Sequence, residues 1–247
     1  MKQSRVSTWT AVGVETFGVD GPDERCWYVP WTSLKRLGLR SFDLPALDRA
    51  RNSSLVSEAS FGWTIQSGGR RPSGESGAGL KLSAVLLAVE SEPPYYEQSL
   101  EWRRDRLGAG AVEELCKSVV LENTKLDDAS EPGRVRCVLV IVQYVAKLHK
   151  EKLIKVVQAL EAARSLAPLG KKQYNMRLLE GAACEAITGC GHNAVTPLGQ
   201  DLPMILSDGI AKLEHFWLGG GHVDLKLRLN TAEAIKTFEM TVADVTS

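Results

Sequence analysis

The sequence predicts a mixed α/β fold, with a largely β centre and helices around it, and three observations carry that reading. Apolar, β-branched runs of strand length recur at 80–89, 118–121, 135–144, 203–206, 216–218 and 223–229. Between several of them the spacing turns helical, most clearly over 150–167, where Leu153, Ile154, Val157 and Leu160 share one face. No strand is followed by a dinucleotide fingerprint, so the glycine-rich nucleotide-binding variants of an α/β sheet are set aside.

The elements follow in order. Residues 1–65 hold many aromatics (Trp9, Trp27, Tyr28, Trp31, Phe42, Phe61, Trp63), which argues against full disorder, and Asp43 is placed to cap a short helix over 44–51. This segment reads as an N-terminal extension of unknown role. Residues 66–79 (QSGGRRPSGESGAG) carry five glycines, three serines and a proline with almost no apolar content, so they read as a flexible linker. The main domain is expected over 80–247.

That domain opens with a strand at 80–89. Pro93-Pro94 then bars a central strand. A charged helix is expected over 97–107, a helical turn over 111–116 and a buried strand over 118–121. The run VRCVLVIVQY (135–144) is continuous and β-branched, as in a sheet covered on both faces. After the helix at 150–167, ended by Pro168-Leu169-Gly170, Asn175 is placed to cap a helix over 176–187 with Gly189 just past its end. Thr231 is placed to cap a last helix through Phe238.

At 247 residues the chain has room for one domain of ordinary size and an appendage. Its 44% hydrophobic and 24% charged content is ordinary for a globular protein. No apolar run approaches the ~20 residues that cross a bilayer, and the first residues lack a signal-peptide pattern. A cytoplasmic protein without membrane partners is expected. Cysteines 26, 116, 137, 184 and 190 are odd in number and without close pairs, which points to reduced thiols. Cys184, Cys190 and His192 lack zinc-site spacing and an evident fourth ligand, so neither a metal nor another cofactor is expected.

The chain carries no net charge, yet its charge is clustered. Between 134 and 178 stand ten Lys/Arg against Glu151 and Glu161, an excess of +8 that the rest of the chain offsets. Such a patch is either a solvated face or a phosphate-binding surface, since counterion release drives nucleic-acid affinity.

The stretch from 187 to 229 organises the site. Two glycine-punctuated loops, 188–199 (TGCGHNAVTPLG) and 219–221 (GGG), bracket short β-type runs. Loops of this kind at strand ends make pockets walled by main-chain amides. Lys117, in LCKSVV, stands just before an apolar strand, where a lysine either reaches a pocket or snorkels to water.

TG, three residues, NAVTPLG, then a buried strand and FWLGGGHVDLKLRL together resemble the YbaK/ProX-type aminoacyl-tRNA editing domain, in particular its eukaryotic branch. The resemblance runs through YYEQSLEWRRDRLGAGAVEELCKSVVLENT and VRCVLVIVQYVAKLHKEKLIKVV, and so covers roughly 80–236 with its motifs in order. It implies a mixed-sheet, barrel-like core with surrounding helices. It places Lys117 on the family's pocket lysine, as the catalytic group, and Thr188, Gly189, His192, Asn193, Ala194, Thr196 and Pro197 on the loop that holds the aminoacyl group.

By the same resemblance Gly219, Gly220 and Gly221 form the second pocket loop, and Tyr95 and Tyr96 fall at a pocket aromatic where a terminal adenine would stack, or else in the core. The bacterial pattern Gly-Gly-x-Ser-Pro-x-Gly is replaced here by Asn193-Ala194-Val195-Thr196-Pro197-Leu198-Gly199. His192 has two readings, a general base and a loop residue that bonds its neighbours.

The implied function is a trans-acting aminoacyl-tRNA deacylase that hydrolyses mischarged tRNA, with Ala or Cys on tRNA-Pro as the expected substrate. The tRNA would lie on Lys147, Lys150, Lys152, Lys155, Lys171 and Lys172, and an aminoacyl-tRNA synthetase is a second expected partner. The alternative is a non-catalytic tRNA- or synthetase-binding module of the same fold. A plain small-molecule hydrolase would leave the basic window without a purpose.

Overall fold

A computed structural model describes residues 8–16, 58–66, 80–89, 93–127, 130–167 and 169–247. The fold is mixed α/β, two five-stranded sheets with helices around them. One sheet has the order β1 (Thr8–Thr16), β2 (Glu58–Gln66), β3 (Leu80–Ala88), β9 (Leu225–Asn230), β8 (His215–Gly219), all antiparallel. The other has the order β10 (Thr241–Ala243), β7 (Met204–Ser207), β5 (Cys137–Gln143), β4 (Cys116–Asn123), β6 (Met176–Leu178), with β7 parallel to both its neighbours. A parallel bridge from Leu115 to Trp217 joins the start of β4 to β8.

The two sheets share one core. Leu139, Ile141 and Leu206 from one meet Phe216, Leu218, Leu227 and Leu229 from the other. Burying each such side chain stabilises the fold by ~1.5–3 kcal/mol. The opposite face of β5, Val138, Val140 and Val142, packs under helix α2 (Lys150–Ala163) through Leu153, Ile154 and Val157. This strand is therefore covered on both sides, as its unbroken apolar run predicts. A smaller cluster, Val89, Tyr95, Leu107, Leu115 and Trp217, lies beneath helix α1 (Leu100–Leu107).

The helix expected over 176–187 is corrected. Met176–Leu178 is β6, paired antiparallel with Leu121–Asn123, and helix α3 begins only at Gly181 and runs to Thr188. Asn123 decides this from 52 residues away: its Oδ1 accepts from the Asn175 N–H at 2.8 Å, while the Asn175 amide donates to Thr124 Oγ1 instead of capping. Gly189, with φ 68°, does close α3.

Helix α2 stops at Ala163, before the expected proline signal. A short helix α4 (Asp208–Ala211) follows β7. The last helix, α5 (Thr231–Thr237), is capped one residue earlier than expected, with Asn230 Oδ1 accepting from the Glu233 N–H at 3.1 Å. Residues 1–65, read from the sequence as an extension of unknown role, contribute β1 and all but the last residue of β2 to the sheet of β3. The expected helix at 44–51 and nearly all of the 66–79 segment lie outside the described residues.

Candidate functional site

The cavity arises where β4 lacks a neighbour. β6 pairs only with the last three residues of β4, so among the described residues no strand lies beside 116–120 on that side. A cavity of about 290 Å³ fills the gap, walled by β4, residues 178–181, helix α3 and the loop 190–195. Its volume is at the small end of ligand pockets. Lys117 is on the wall, half-buried, with Nζ 5.7 Å from the centre of the Tyr144 ring.

The two glycine-containing loops meet here as one wall. A Cβ on Gly219 would stand 2.6 Å from the Val195 carbonyl oxygen and 3.1 Å from the Ala194 carbonyl carbon, so glycine is what lets the two chains touch. The Gly221 N–H donates to the Ala194 carbonyl at 3.0 Å. Asn193 sits at φ 59°, in the left-handed region that asparagine tolerates better than most residues. Its carbonyl accepts from the Tyr96 hydroxyl at 2.7 Å.

Of the residues singled out in the sequence, Lys117, Tyr96, His192, Asn193 and Gly219 line the cavity. Ala194, Thr196 and Pro197 are buried in the fabric of the loop. Thr188 is a buried hinge pin: its Oγ1 donates to the Cys184 carbonyl at 2.8 Å and accepts from the Cys190 N–H at 3.1 Å. Gly189 caps α3. The Gly220 N–H closes the turn onto the Leu225 carbonyl at 2.9 Å. Tyr95 is a core residue, 5% exposed and edge-on to Tyr96 with ring centres 5.3 Å apart.

Among the six lysines expected to meet tRNA, Lys152 pairs with Asp244 at 2.8 Å and Lys171 with Glu151 at 2.7 Å. Lys150 donates to Asn175 Oδ1 at 3.1 Å. Lys147, Lys155 and Lys172 are exposed and form no ion pair among the described residues.

Sequence reasoning missed the polar cluster behind the cavity. Lys226 of β9 is 3% exposed; its Nζ donates to the Tyr96 hydroxyl at 2.9 Å and to the Val223 carbonyl at 2.8 Å. The same ammonium lies 4.8 and 4.4 Å from the centres of the Tyr95 and Tyr96 rings. Arg103 of α1, also buried, donates from Nε to the Tyr95 carbonyl at 3.1 Å and from Nη2 to the Tyr96 carbonyl at 2.6 Å. Its guanidinium stacks over Tyr95, Tyr96 and Tyr144 at 5.3–5.5 Å.

Neither cation forms an ion pair among the described residues. Burial, reinforced by Arg103 and opposed by Asp224, brings the Lys226 ammonium down to about 7. Burial likewise raises the Tyr95 and Tyr96 phenols above their ordinary values, so both stay neutral donors. The signal for Lys226 was weak, because Leu225-Lys226-Leu227-Arg228-Leu229 alternates like a strand with one solvated face.

No family model matches the chain, and no curated protein matches it. Solved structures do share its shape. A crystal structure described as a candidate trans-editing enzyme for prolyl tRNA synthetase aligns with a TM-score of 0.50 and 18% identity, over 67% of this chain and 87% of that one. A scaffold protein from a computational epitope-grafting study aligns with 0.49 and 18%, over 66% and 85%. A hypothetical protein aligns with 0.48 and 15%, over 66% and 90%. The likeness is one of fold. No helix among the described residues is long and apolar enough to cross a membrane.

Proposed function

We propose that the chain is a trans-acting aminoacyl-tRNA deacylase, which hydrolyses the ester of a tRNA carrying a small wrong amino acid. The observation that carries the reading is Lys117 facing, across one small cavity, a wall in which the Gly219 backbone touches the Ala194–Val195 peptide. A cavity of about 290 Å³ has room for an aminoacyl group and part of the ribose that carries it. A second site of this kind serves a synthetase that cannot reject a slightly smaller amino acid by binding alone, since one methylene is worth only ~1–3 kcal/mol. Alanine or cysteine on tRNA-Pro is the expected error.

The chemistry needs no protein nucleophile. Water adds to the ester carbonyl, the tetrahedral oxyanion collapses, and the C–O bond to the ribose breaks as its oxygen regains a proton. Lys117 supplies positive charge beside the developing anion, and the loop main chain holds the aminoacyl group. Asn193 keeps the left-handed backbone that a glycine at this point would take, so the Asn-Ala replacement does not by itself remove the pocket.

The test is a panel of tRNAs charged with alanine, cysteine, serine or proline. Release of one or two small amino acids with prolyl-tRNA-Pro spared supports the enzyme. Lys117→Ala is expected to lower kcat by roughly 10²–10³, with tRNA affinity and unfolding midpoint nearly unchanged. Salt-sensitive tRNA binding without release of any amino acid would favour the non-catalytic module instead.

A further inference from the structure

We propose that Lys226 is a positioning residue for this cavity, acting through the Tyr96 hydroxyl on the Asn193 carbonyl so that its protonation state holds or releases the loop 190–195. The inference takes the cavity to be the deacylase pocket proposed above.

The geometry is a directed chain. Lys226 Nζ donates to Tyr96 Oη at 2.9 Å, and Tyr96 Oη donates to the Asn193 carbonyl at 2.7 Å. As an ammonium, Lys226 has three N–H donors and no lone pair, so Tyr96 accepts from it and its own proton points away, to the Asn193 carbonyl at 2.7 Å, with the Tyr144 hydroxyl as a second neighbour. As a neutral amine it gains a lone pair, which makes it the better acceptor for the phenol. The Tyr96 proton then turns inward and the Asn193 carbonyl loses its donor. Asn193 is the left-handed residue of the loop, and the residue after it, Ala194, carries the carbonyl that anchors Gly221.

The surroundings put this exchange near neutrality. Lys226 faces Arg103 from α1, Tyr95 and Tyr96 from the turn before it, Tyr144 beyond β5, Cys116 at the start of β4 and Asp224 on its own loop. Asp224 is itself 3.7 Å from His222 Nδ1. Burial and Arg103 outweigh Asp224 and bring the ammonium down to about 7.

The experiment is hydrogen exchange by mass spectrometry on the full chain, followed in peptides spanning 189–199 between pH 6 and 8 and corrected for intrinsic rates. Wild-type protection of this loop is expected to fall about tenfold across that range, the size of one hydrogen bond. Tyr96→Phe should show the low protection at every pH, and Lys226→Arg, which keeps its charge, the high protection at every pH. Lys226→Met should remove the pH dependence.

In deacylation, Tyr96→Phe is expected to raise KM about tenfold with kcat within about twofold. Loop exchange identical in wild type, Tyr96→Phe and Lys226→Arg at every pH would overturn the inference. If wild-type protein releases no amino acid from any tRNA, the deacylase reading falls, and the exchange data still decide the positioning role.

Discussion

Two buried polar clusters, one under α2 and one behind the cavity, are built on opposite terms. Under α2, Glu161 is 1% exposed and saturated: its carboxylate accepts from the Val135 N–H at 3.0 Å, Arg134 Nη1 at 3.1 Å and the Tyr174 hydroxyl at 2.5 Å. Burial and that last bond push the Tyr174 phenol up to about 12. Behind the cavity, Lys226 and Arg103 have no such anion and rest on carbonyls, a hydroxyl and aromatic faces. A buried charge with an ion-pair partner recovers much of what it loses on leaving water, whereas the Lys226 ammonium, held only by dipoles and π faces, recovers less. The first cluster locks a sheet to a helix; the second leaves a titrating group next to a cavity.

The sharpest way to break this contrast is at Glu161. Glu161→Ala leaves the Val135 N–H and the Tyr174 hydroxyl without their acceptor, while Arg134 keeps Glu131 at 2.6 Å, and is expected to cost about 1–3 kcal/mol for each orphaned donor in denaturant unfolding, with deacylation per folded molecule unchanged. A loss below about 1 kcal/mol would mean the cluster is not a lock. On the cavity side the backbone contact comes next. Gly219→Ala places a methyl against the Val195 carbonyl and should cost about 1–3 kcal/mol, with deacylation falling in parallel because the wall has moved.

Lys226 itself, buried without an ion pair among the described residues, should show this in how stability depends on pH. Unfolded, it holds its proton to near 10.5; folded, only to about 7. Between those values the unfolded chain binds more protons, so wild-type stability rises with pH, by up to about 1.4 kcal/mol per unit. Lys226→Met should flatten the curve, and an unchanged slope would assign the titration elsewhere. The smallest effect concerns the exposed lysines of the α2 side. Lys155→Gln with Lys172→Gln should reduce the salt slope of tRNA binding by about 0.7–0.9 for each phosphate no longer neutralised, without touching deacylation of bound substrate.

What the sequence disclosed was what local pattern carries. The β-branched run of β5, the apolar stripe of α2 and the glycines of both loops each announce themselves within a few residues, and Lys117 stands out because a charge interrupts an apolar edge. What stayed hidden depended on distant partners. MRLLEGAACEAI reads as one helix, and pairing with Leu121–Asn123, anchored by the Asn123 side chain far back in the chain, makes its first three residues a strand. Arg103 reads as one more charge on an exposed helix, yet it is 9% exposed because the Tyr95 and Tyr96 carbonyls turn back to receive it. Lys226 sits in a perfect alternation whose polar face proves to be covered. In each case a long-range interaction overrides the local period.

The close approach at Gly219 bears on how this pocket can be reshaped. That side of the cavity has no room: a single added methyl would meet main chain, which cannot swing aside. At Gly191, in the loop that Gly219 touches, a Cβ would meet nothing within 4 Å, and His192 next to it is exposed. Asn193, by contrast, is held at φ 59° with its carbonyl on the Tyr96 hydroxyl, so the wall is frozen at 193 and 219 and open at 191 and 192. Selection or engineering for a different amino acid would leave its record at 191 and 192 before it touched 219.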